Sequence, residues 1–126
     1  EELNLVGLAK AVFRLASRAR DNKLDPKDIS GGTFTVSNPG IRGNLYGGAI
    51  INQPQVAILS TDGIARRPAV VVDDDGNETV GVRSMGVLAL AWDHRAFDGA
   101  YAAAFLRALK EALEKSDWAS RWAAGE

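Results

Sequence analysis

Apolar residues recur at helical spacing near both ends of the chain. Asn4 stands where an N-cap residue is favoured and precedes an apolar stripe, which predicts a helix from there to about Asp21. The same spacing predicts a second helix from about Asp98 to Lys115. The stripes consist of Leu5, Leu8, Val12, Leu15, Ala16 and Ala19 in the first helix and Tyr101, Phe105, Leu109 and either Ala112 or Leu113 in the second.

Between the helices, the pattern of residues is typical of strands. Residues 33–38 have strand composition. Residues 55–61 are apolar on both faces over most of their length and residues 86–92 throughout, which predicts two buried strands. An Asp-Gly pair inside residues 66–84 predicts a hairpin. The segment "PGIRGNLYGG" holds four glycines and predicts a mobile or tightly turned loop. This order of elements predicts an α/β (α+β) sandwich with a mixed β-sheet and flanking helices.

Length and composition narrow the class of protein. The 126 residues suit a single unit, residues 1–126, and a net charge of -1 argues against a nucleic-acid partner. The chain has no cysteine and one histidine, which argues against a metal site. No apolar run approaches the roughly 18 residues of a membrane-spanning helix. Together with the acidic start "EELNLVGLAK", this predicts a soluble, cytoplasmic protein without a membrane partner.

The only histidine, His94, lies in "DHRAFDG", where a buried strand is predicted to end and a helix to begin. Ligands of α/β proteins often bind beyond such strand ends, and a neutral imidazole can act as a base near pH 7. Taken singly, however, each residue of this turn also has a structural explanation. His94 can end the strand with its hydrogen bonds satisfied, and Asp98 can be the N-cap of the following helix.

Ser37 raises a similar choice, because it ends a strand just before the glycine-rich loop. Its hydroxyl can donate a hydrogen bond to an oxyanion or cap the turn. The loop lacks the Gly-Lys-Ser or Gly-Lys-Thr sequence of a phosphate-binding loop. The acidic run at residues 73–75 is too short for an EF-hand and predicts a solvated turn.

Three segments in this order resemble one known family. "GGTFTVSNPG", "AIINQPQVAIL" and "DHRAFDGAYAAAFLRALKEALE" closely resemble the C-terminal catalytic domain of the dihydrolipoyl acyltransferases, the core components of 2-oxo acid dehydrogenase complexes. The resemblance runs from the first helix to about Lys115. It implies the coenzyme A-dependent acyltransferase fold, which is chloramphenicol acetyltransferase-like.

The resemblance also implies roles for individual residues. His94 matches the catalytic histidine, Asp98 the aspartate that helps fix the site, and Ser37 the hydroxyl residue that supports the oxyanion. Asn52 and Pro54 match a segment that is more structural than chemical. The implied reaction moves an acyl group, whether acetyl, succinyl or branched-chain, between a dihydrolipoyl thioester and coenzyme A. Coenzyme A would be the co-substrate, the lipoyl group would sit on a separate domain, and no metal would be needed.

For assembly, the resemblance implies a homotrimer whose active sites lie between chains, with the histidine and the serine supplied by different subunits. The family builds larger shells from such trimers, but the ending "RWAAGE" differs from the usual apolar C-terminus and favours the trimer. The implied partners are the dehydrogenase and dihydrolipoyl dehydrogenase components, and the location would be the mitochondrial matrix in a eukaryote.

The chain also departs from the family pattern. Catalytic domains of the family are about twice as long, so we expect the C-terminal part of such a domain, without a lipoyl or subunit-binding domain. Ala49, Ala91 and Trp92 replace the family's usual residues. Two other functions stay open: a non-catalytic, trimer-forming core fragment, and a stand-alone acetyltransferase of the chloramphenicol type. The segment "AIINQPQVAIL" argues against the second of these.

Overall fold

The computed structural model describes residues 3–43 and 45–124, with only the backbone described at positions 41, 42 and 124. The chain divides into two compact units. One comprises residues 3–32 and 107–124, and the other comprises Thr33–Leu106.

The first unit contains helix α1 (Leu5–Arg20), a short 3-10 turn (Pro26–Asp28) and helix α3 (Trp118–Ala124). The predicted cap of α1 is confirmed, because the side chain of Asn4 accepts a hydrogen bond from the backbone N–H of Gly7 at 2.8 Å. No described helix combines the length and apolar character that crossing a membrane requires.

The end of α1 is joined to the 3-10 turn by a charged contact. Arg18 Nη2 lies 2.9 Å from a carboxylate oxygen of both Asp25 and Asp28. The predicted apolar stripe of α1 remains open, since Leu8 is 52% exposed and Val12 59% exposed. This helix therefore carries an apolar face that the described residues leave uncovered.

The second unit is built on a three-stranded sheet and a separate two-stranded sheet. The first sheet contains β1 (Thr35–Ser37), β2 (Ala57–Thr61) and β5 (Leu88–Trp92), in the order β1-β2-β5. β1 runs parallel and β5 antiparallel to β2, so the predicted mixed sheet is confirmed. The second sheet is the predicted hairpin of β3 (Ala65–Val72) and β4 (Glu78–Met85). Helix α2 (Gly99–Lys115) starts in this unit and ends in the other.

The core of the second unit lies on strand β2. Ala57, Ile58 and Leu59 are buried, as expected of a central strand that pairs on both sides. The same prediction was wrong for β5, whose five residues are all only half-buried. Among residues 3–43 and 45–124, β5 pairs with β2 alone and lies at the edge of the sheet, so its apolar composition is not matched by burial on both faces.

The ladders β2–β5 and β3–β4 form one long antiparallel hairpin with a break in it. Thr61 pairs with Leu88, and the ladder resumes with Ala65 opposite Met85, four positions further on one strand and three on the other. Three residues (62–64) on one strand face two (86–87) on the other, which is the count of a β-bulge. Within the break, the backbone N–H of Asp62 donates to the carbonyl of Val87 at 3.0 Å.

The acidic run at the hairpin tip forms the predicted solvated turn. Asp73 Oδ1 accepts hydrogen bonds from the backbone N–H groups of Asp75 and Asn77, at 3.0 and 2.8 Å. These bonds, those from Asn77 foremost, lower the pKa of Asp73. The carboxylate is therefore used to close the turn.

Candidate active site at the end of strand β5

The turn that carries His94 continues directly from β5. The backbone N–H of Asp93 donates to the carbonyl of Val56 at 2.8 Å, which extends the pairing with β2 by one step. The N–H of Ala96 then donates to the carbonyl of Asp93 at 2.9 Å and closes the turn. His94 lies between these two bonds and is exposed.

A bidentate ion pair braces the same turn. Arg95 Nη2 donates to Oδ2 of Asp93 at 2.7 Å and Arg95 Nε donates to Oδ1 at 3.0 Å, and the backbone N–H of Arg95 also donates to Oδ1 at 2.9 Å. The side-chain hydrogen bond from Arg95, followed by the backbone one, lowers the pKa of Asp93 to about 2. Asp93 is therefore ionised at neutral pH and fixes the residues on both sides of His94.

Aromatic rings support the imidazole. The rings of Trp92 and His94 have centroids 5.3 Å apart, and the Trp92 ring also stacks on Phe97 at 6.1 Å. Trp92 Nε1 donates to the carbonyl of Phe97 at 3.1 Å and ties the end of β5 to the end of the turn. Phe97 in turn contacts Tyr101 edge-to-face on α2. The imidazole is thus presented to solvent from an aromatic platform.

Asp98 occupies the last position before α2. Its Oδ1 accepts from the backbone N–H of Tyr101 at 2.9 Å, and its carbonyl accepts from Ala102 at 3.2 Å. These are the bonds of a helix N-cap. Within the described residues no hydrogen bond or ion pair joins Asp98 to His94, so Asp98 acts on the turn by fixing the start of the helix.

Ser37 lies elsewhere in the same unit. It is the half-buried last residue of β1 and pairs in register with Ser60 of β2. Its carbonyl accepts a hydrogen bond from the hydroxyl of Thr61 at 3.4 Å. The next residue, Asn38, begins a 3-10 turn (Pro39–Arg42) and accepts from the N–H of Gly40.

The register places Ser37 and His94 at opposite ends of the three-stranded sheet. Ser37 is level with Ser60, whereas Trp92 is level with Ala57, three residues away along β2. With about 3.3 Å per residue and about 4.8 Å between strands, the backbone positions of Ser37 and Trp92 are separated by about 14 Å. His94 lies beyond Trp92 in the direction away from Ser37. One chain therefore does not bring its candidate base and candidate oxyanion donor together.

The segment that contains Asn52 and Pro54 forms a turn next to β1, which agrees with its interpretation as structural. The carbonyl of Asn52 accepts from the N–H of Gln55 at 3.0 Å, and the Gln53–Pro54 peptide bond is cis. The hydroxyl of Thr35 donates to Oε1 of Gln55 at 2.6 Å and joins this turn to β1.

The sequence reasoning did not single out two groups that shape the site. Trp92 was interpreted as a departure from the family pattern that could alter packing behind His94, but not as a group that holds the turn; its position directly before "DHR" was the signal. Ser60 and Asp62 form a buried hydrogen bond of 2.9 Å beside Ser37. Polar residues at the end of an otherwise apolar strand were the available signal for that pair. No cluster of three or more potential metal-ligating side chains occurs among residues 3–43 and 45–124.

The family model of the "2-oxoacid dehydrogenases acyltransferase (catalytic domain)" matches residues 1–119. The chain belongs to this family. It is 49% identical over 114 residues to the dihydrolipoyllysine-residue acetyltransferase component of the pyruvate dehydrogenase complex of Mycobacterium bovis, covering 90% of this chain and 21% of that protein. It is 44% identical over 114 residues to the mitochondrial succinyltransferase component of the 2-oxoglutarate dehydrogenase complex of Saccharomyces cerevisiae, covering 90% and 24%.

Solved structures of family members share the fold. A probable dihydrolipoamide acetyltransferase from Listeria monocytogenes matches with a TM-score of 0.80 and 43% identity, over 90% of this chain and 47% of the other. The Azotobacter vinelandii dihydrolipoamide acetyltransferase matches with a TM-score of 0.79 and 35% identity, over 90% and 45%. The cubic core of a pyruvate dehydrogenase multienzyme complex also matches, with a TM-score of 0.79 and 34% identity, over 90% and 45%. The predicted acyltransferase fold is confirmed, and the chain spans about a fifth of the curated relatives and under half of these solved chains.

The Azotobacter vinelandii structure belongs to a study of the roles of a serine, a histidine and an asparagine in the catalytic mechanism of that enzyme. Its asparagine follows its histidine by four positions, the separation that also joins His94 to Asp98. Four positions after the histidine, this chain thus has the carboxylic acid of Asp98, whereas that enzyme has the amide of an asparagine.

Proposed function

We propose that this chain is the part of a dihydrolipoyl acyltransferase that supplies both His94 and Ser37 to the reaction. The observation that carries the proposal is the exposed, braced position of the only histidine in a chain that belongs to the 2-oxoacid dehydrogenases acyltransferase family. The substrates are coenzyme A and an acyl thioester of a dihydrolipoyl group carried by a separate domain. The residue types in the chain suit this reaction, because the reaction needs a base and a hydrogen-bond donor but no enzyme thiol.

In the proposed reaction, the neutral imidazole of His94 accepts the proton of the coenzyme A thiol. The thiolate attacks the carbonyl carbon of the acyl-dihydrolipoyl thioester, and the hydroxyl of Ser37 donates a hydrogen bond to the oxyanion that forms. Collapse of the tetrahedral intermediate breaks the bond from carbon to the lipoyl sulfur. That sulfur takes the proton from the His94 imidazolium, which regenerates the base and releases acyl-coenzyme A.

Each active site takes His94 from one chain and Ser37 from its neighbour. Support comes from the opposite placement of the two residues on one sheet, since base and oxyanion donor must both reach the same thioester. A homotrimer has three equivalent contacts of this kind, and larger shells arise when trimers associate. The dehydrogenase and dihydrolipoyl dehydrogenase components are the proposed partners, in the cytoplasm or the mitochondrial matrix. Asp98 positions the turn that carries His94, because its side chain caps the start of α2.

A second candidate is an assembly element without turnover of its own. The exposed apolar faces favour it, because Val12, Phe13 and Ile50 are 59%, 72% and 91% exposed and such surface marks a contact with other protein. In this alternative the chain supplies contacts to the core, and the reaction depends on residues elsewhere in the protein.

The test is an acyl-transfer assay on the native protein, whose mass is measured on the same sample. Acetyl-, succinyl- and branched-chain acyl-dihydrolipoamide are offered with coenzyme A, and chloramphenicol is offered as an alternative acceptor. His94→Ala should lower kcat by about 10²–10⁴-fold and Ser37→Ala by about 10²–10³-fold. Asp74→Ala, at an exposed position of the hairpin turn, is the control and should match the unmodified protein. A His94→Ala variant with normal turnover would contradict the mechanism, and a stable trimer without turnover would favour the assembly element.

A further inference from the structure

Two polar side chains are buried in the part of the chain that the structure describes: that of Ser60, which pairs in register with Ser37, and that of Asp62, two residues further on. Ser60 is 1% exposed and Asp62 is 3% exposed. The hydroxyl of Ser60 donates to Oδ1 of Asp62 at 2.9 Å. A carboxylate buried to this degree is costly unless it is hydrogen-bonded, so the bonds that it accepts define its structural task.

The second carboxylate oxygen of Asp62 reaches the loop that follows Ser37. The backbone N–H of Gly47 donates to Oδ2 at 3.2 Å. We call residues 39–43 and 45–48 the glycine loop, because four of them are glycine. A glycine-rich segment has unusual backbone freedom and loses much conformational entropy when it is ordered. A hydrogen bond that fixes one point of the loop therefore has a large effect on its conformation.

The start of the glycine loop, at Gly40, contacts the backbone of Asp62 and Gly63. A Cβ on Gly40 would lie 2.4 Å from the nitrogen of Gly63 and 2.5 Å from the carbonyl carbon of Asp62. This backbone-to-backbone contact requires glycine at position 40. The hydroxyl of Thr61, one residue earlier, donates to the carbonyl of Ser37. The segment 61–63 therefore holds Ser37, the start of the loop and the end of the loop.

We infer that Asp62 is a positioning residue, whose carboxylate fixes the glycine loop at Gly47 and thereby the direction of the Ser37 hydroxyl. The inference rests on the proposed function, in which Ser37 stabilises the oxyanion. A hydrogen-bond donor of this type acts only when it is held in place before charge develops, and a displacement of about 1 Å costs up to about 100-fold in rate. Asp62 touches no substrate and acts through the loop.

The experiment combines hydrogen exchange with kinetics on the complete acyltransferase that carries this chain. In Asp62→Ala, the Gly47 amide should exchange about tenfold faster, because one buried hydrogen bond is lost, and kcat should fall about tenfold at unchanged KM for coenzyme A. Ser60→Ala also removes a bond from the buried pair but leaves the one to Gly47, so exchange at Gly47 should rise less. Asp74→Asn makes the acid-to-amide change at an exposed position and should leave exchange and kcat unchanged.

Asp62→Leu carries the exchange test if Asp62→Ala does not fold, because it fills the volume of the side chain but has no atom that can accept from Gly47. Asp62→Asn is the conservative variant. Its amide oxygen can still accept from Gly47, because the Ser60 hydroxyl can instead accept from the amide nitrogen. It should therefore keep kcat within about threefold of the unmodified enzyme. The anchoring is overturned if Gly47 exchanges no faster in Asp62→Ala, or in Asp62→Leu where only that variant folds, than it does in Asp74→Asn. Faster exchange with unchanged kcat overturns the positioning role. An unmodified enzyme without acyl transfer refutes the proposed function, and the exchange data then still decide whether Asp62 holds the loop.

Discussion

Mixing two inactive variants should restore acyl transfer. The perturbation is co-expression, in equal amounts, of chains that carry His94→Ala with chains that carry Ser37→Ala. Because Ser37 and His94 lie at opposite ends of the sheet in one chain, each proposed site uses the histidine of one subunit and the serine of the next. A subunit that lacks the base can then still supply the donor to its neighbour.

The expected recovery follows from the proposed trimer. Random assembly puts both kinds of chain into about three quarters of the trimers. Each of these mixed trimers has one contact at which the intact histidine meets the intact serine, and two contacts at which a group is missing. The mixture should therefore show about a quarter of the unmodified kcat, whereas each variant alone should show about 1% or less.

The assay is acyl transfer from acyl-dihydrolipoamide to coenzyme A, with subunit ratios measured by mass spectrometry of the purified assembly. A double variant that carries both changes on one chain, co-expressed with the unmodified chain, is the matched control. If each chain held a complete site, mixing the single variants would restore nothing. Activity of the mixture no higher than the average of the two variants would refute the two-chain site.

Three further predictions concern the structure around the site. Trp92→Phe should keep the ring contacts but lose a hydrogen bond of about 1 kcal/mol, so we expect kcat to fall about fivefold at constant KM, and unchanged steady-state kinetics would contradict this. Gly40→Ala should lower the free energy of unfolding by about 1–3 kcal/mol in a urea titration, whereas Gly48→Ala, which has open space around it, should not. Because Arg95 lowers the pKa of Asp93 from 3.8 to about 2, the stability that this pair contributes is present above pH 3.8 and is lost as pH falls towards 2. The melting temperature of Asp93→Asn should approach that of the unmodified protein over that range, and a constant difference would argue against the pair.

Much of the local structure could be predicted from the sequence. Asn4 caps α1 and Asp98 caps α2 as predicted, and the Asp-Gly pair lies at the tip of the hairpin. These features depend on side chains within four residues of the backbone groups they bind, so their signals are local. The burial of β2 was also predictable, because its residues are apolar on both faces.

The features that were not predicted depend on contacts between distant residues. The burial of β5 was overestimated, because composition does not reveal that, within the described part of the chain, this strand has a neighbour on one side only. The separation of Ser37 from His94 was implied only by the family resemblance. The residues themselves do not predict it, because it follows from strand direction and register, which residues 35–37 and 88–92 do not encode. The contact of Asp62 with Gly47 joins residues 15 positions apart and left no local signal.

The interrupted hairpin has a consequence for how this unit acquires its fold. Ala57 and Trp92 are far apart in sequence, and pairs of this kind usually slow folding because a long loop must close first. Here the turn at Asp73 can form early and the β3–β4 ladder can close from it. Once Ala65 faces Met85, only three residues on one side and two on the other separate this ladder from β2–β5. We therefore expect the central strand to be recruited by zipping from the hairpin tip, with the parallel pairing of β1 as the slow, final step.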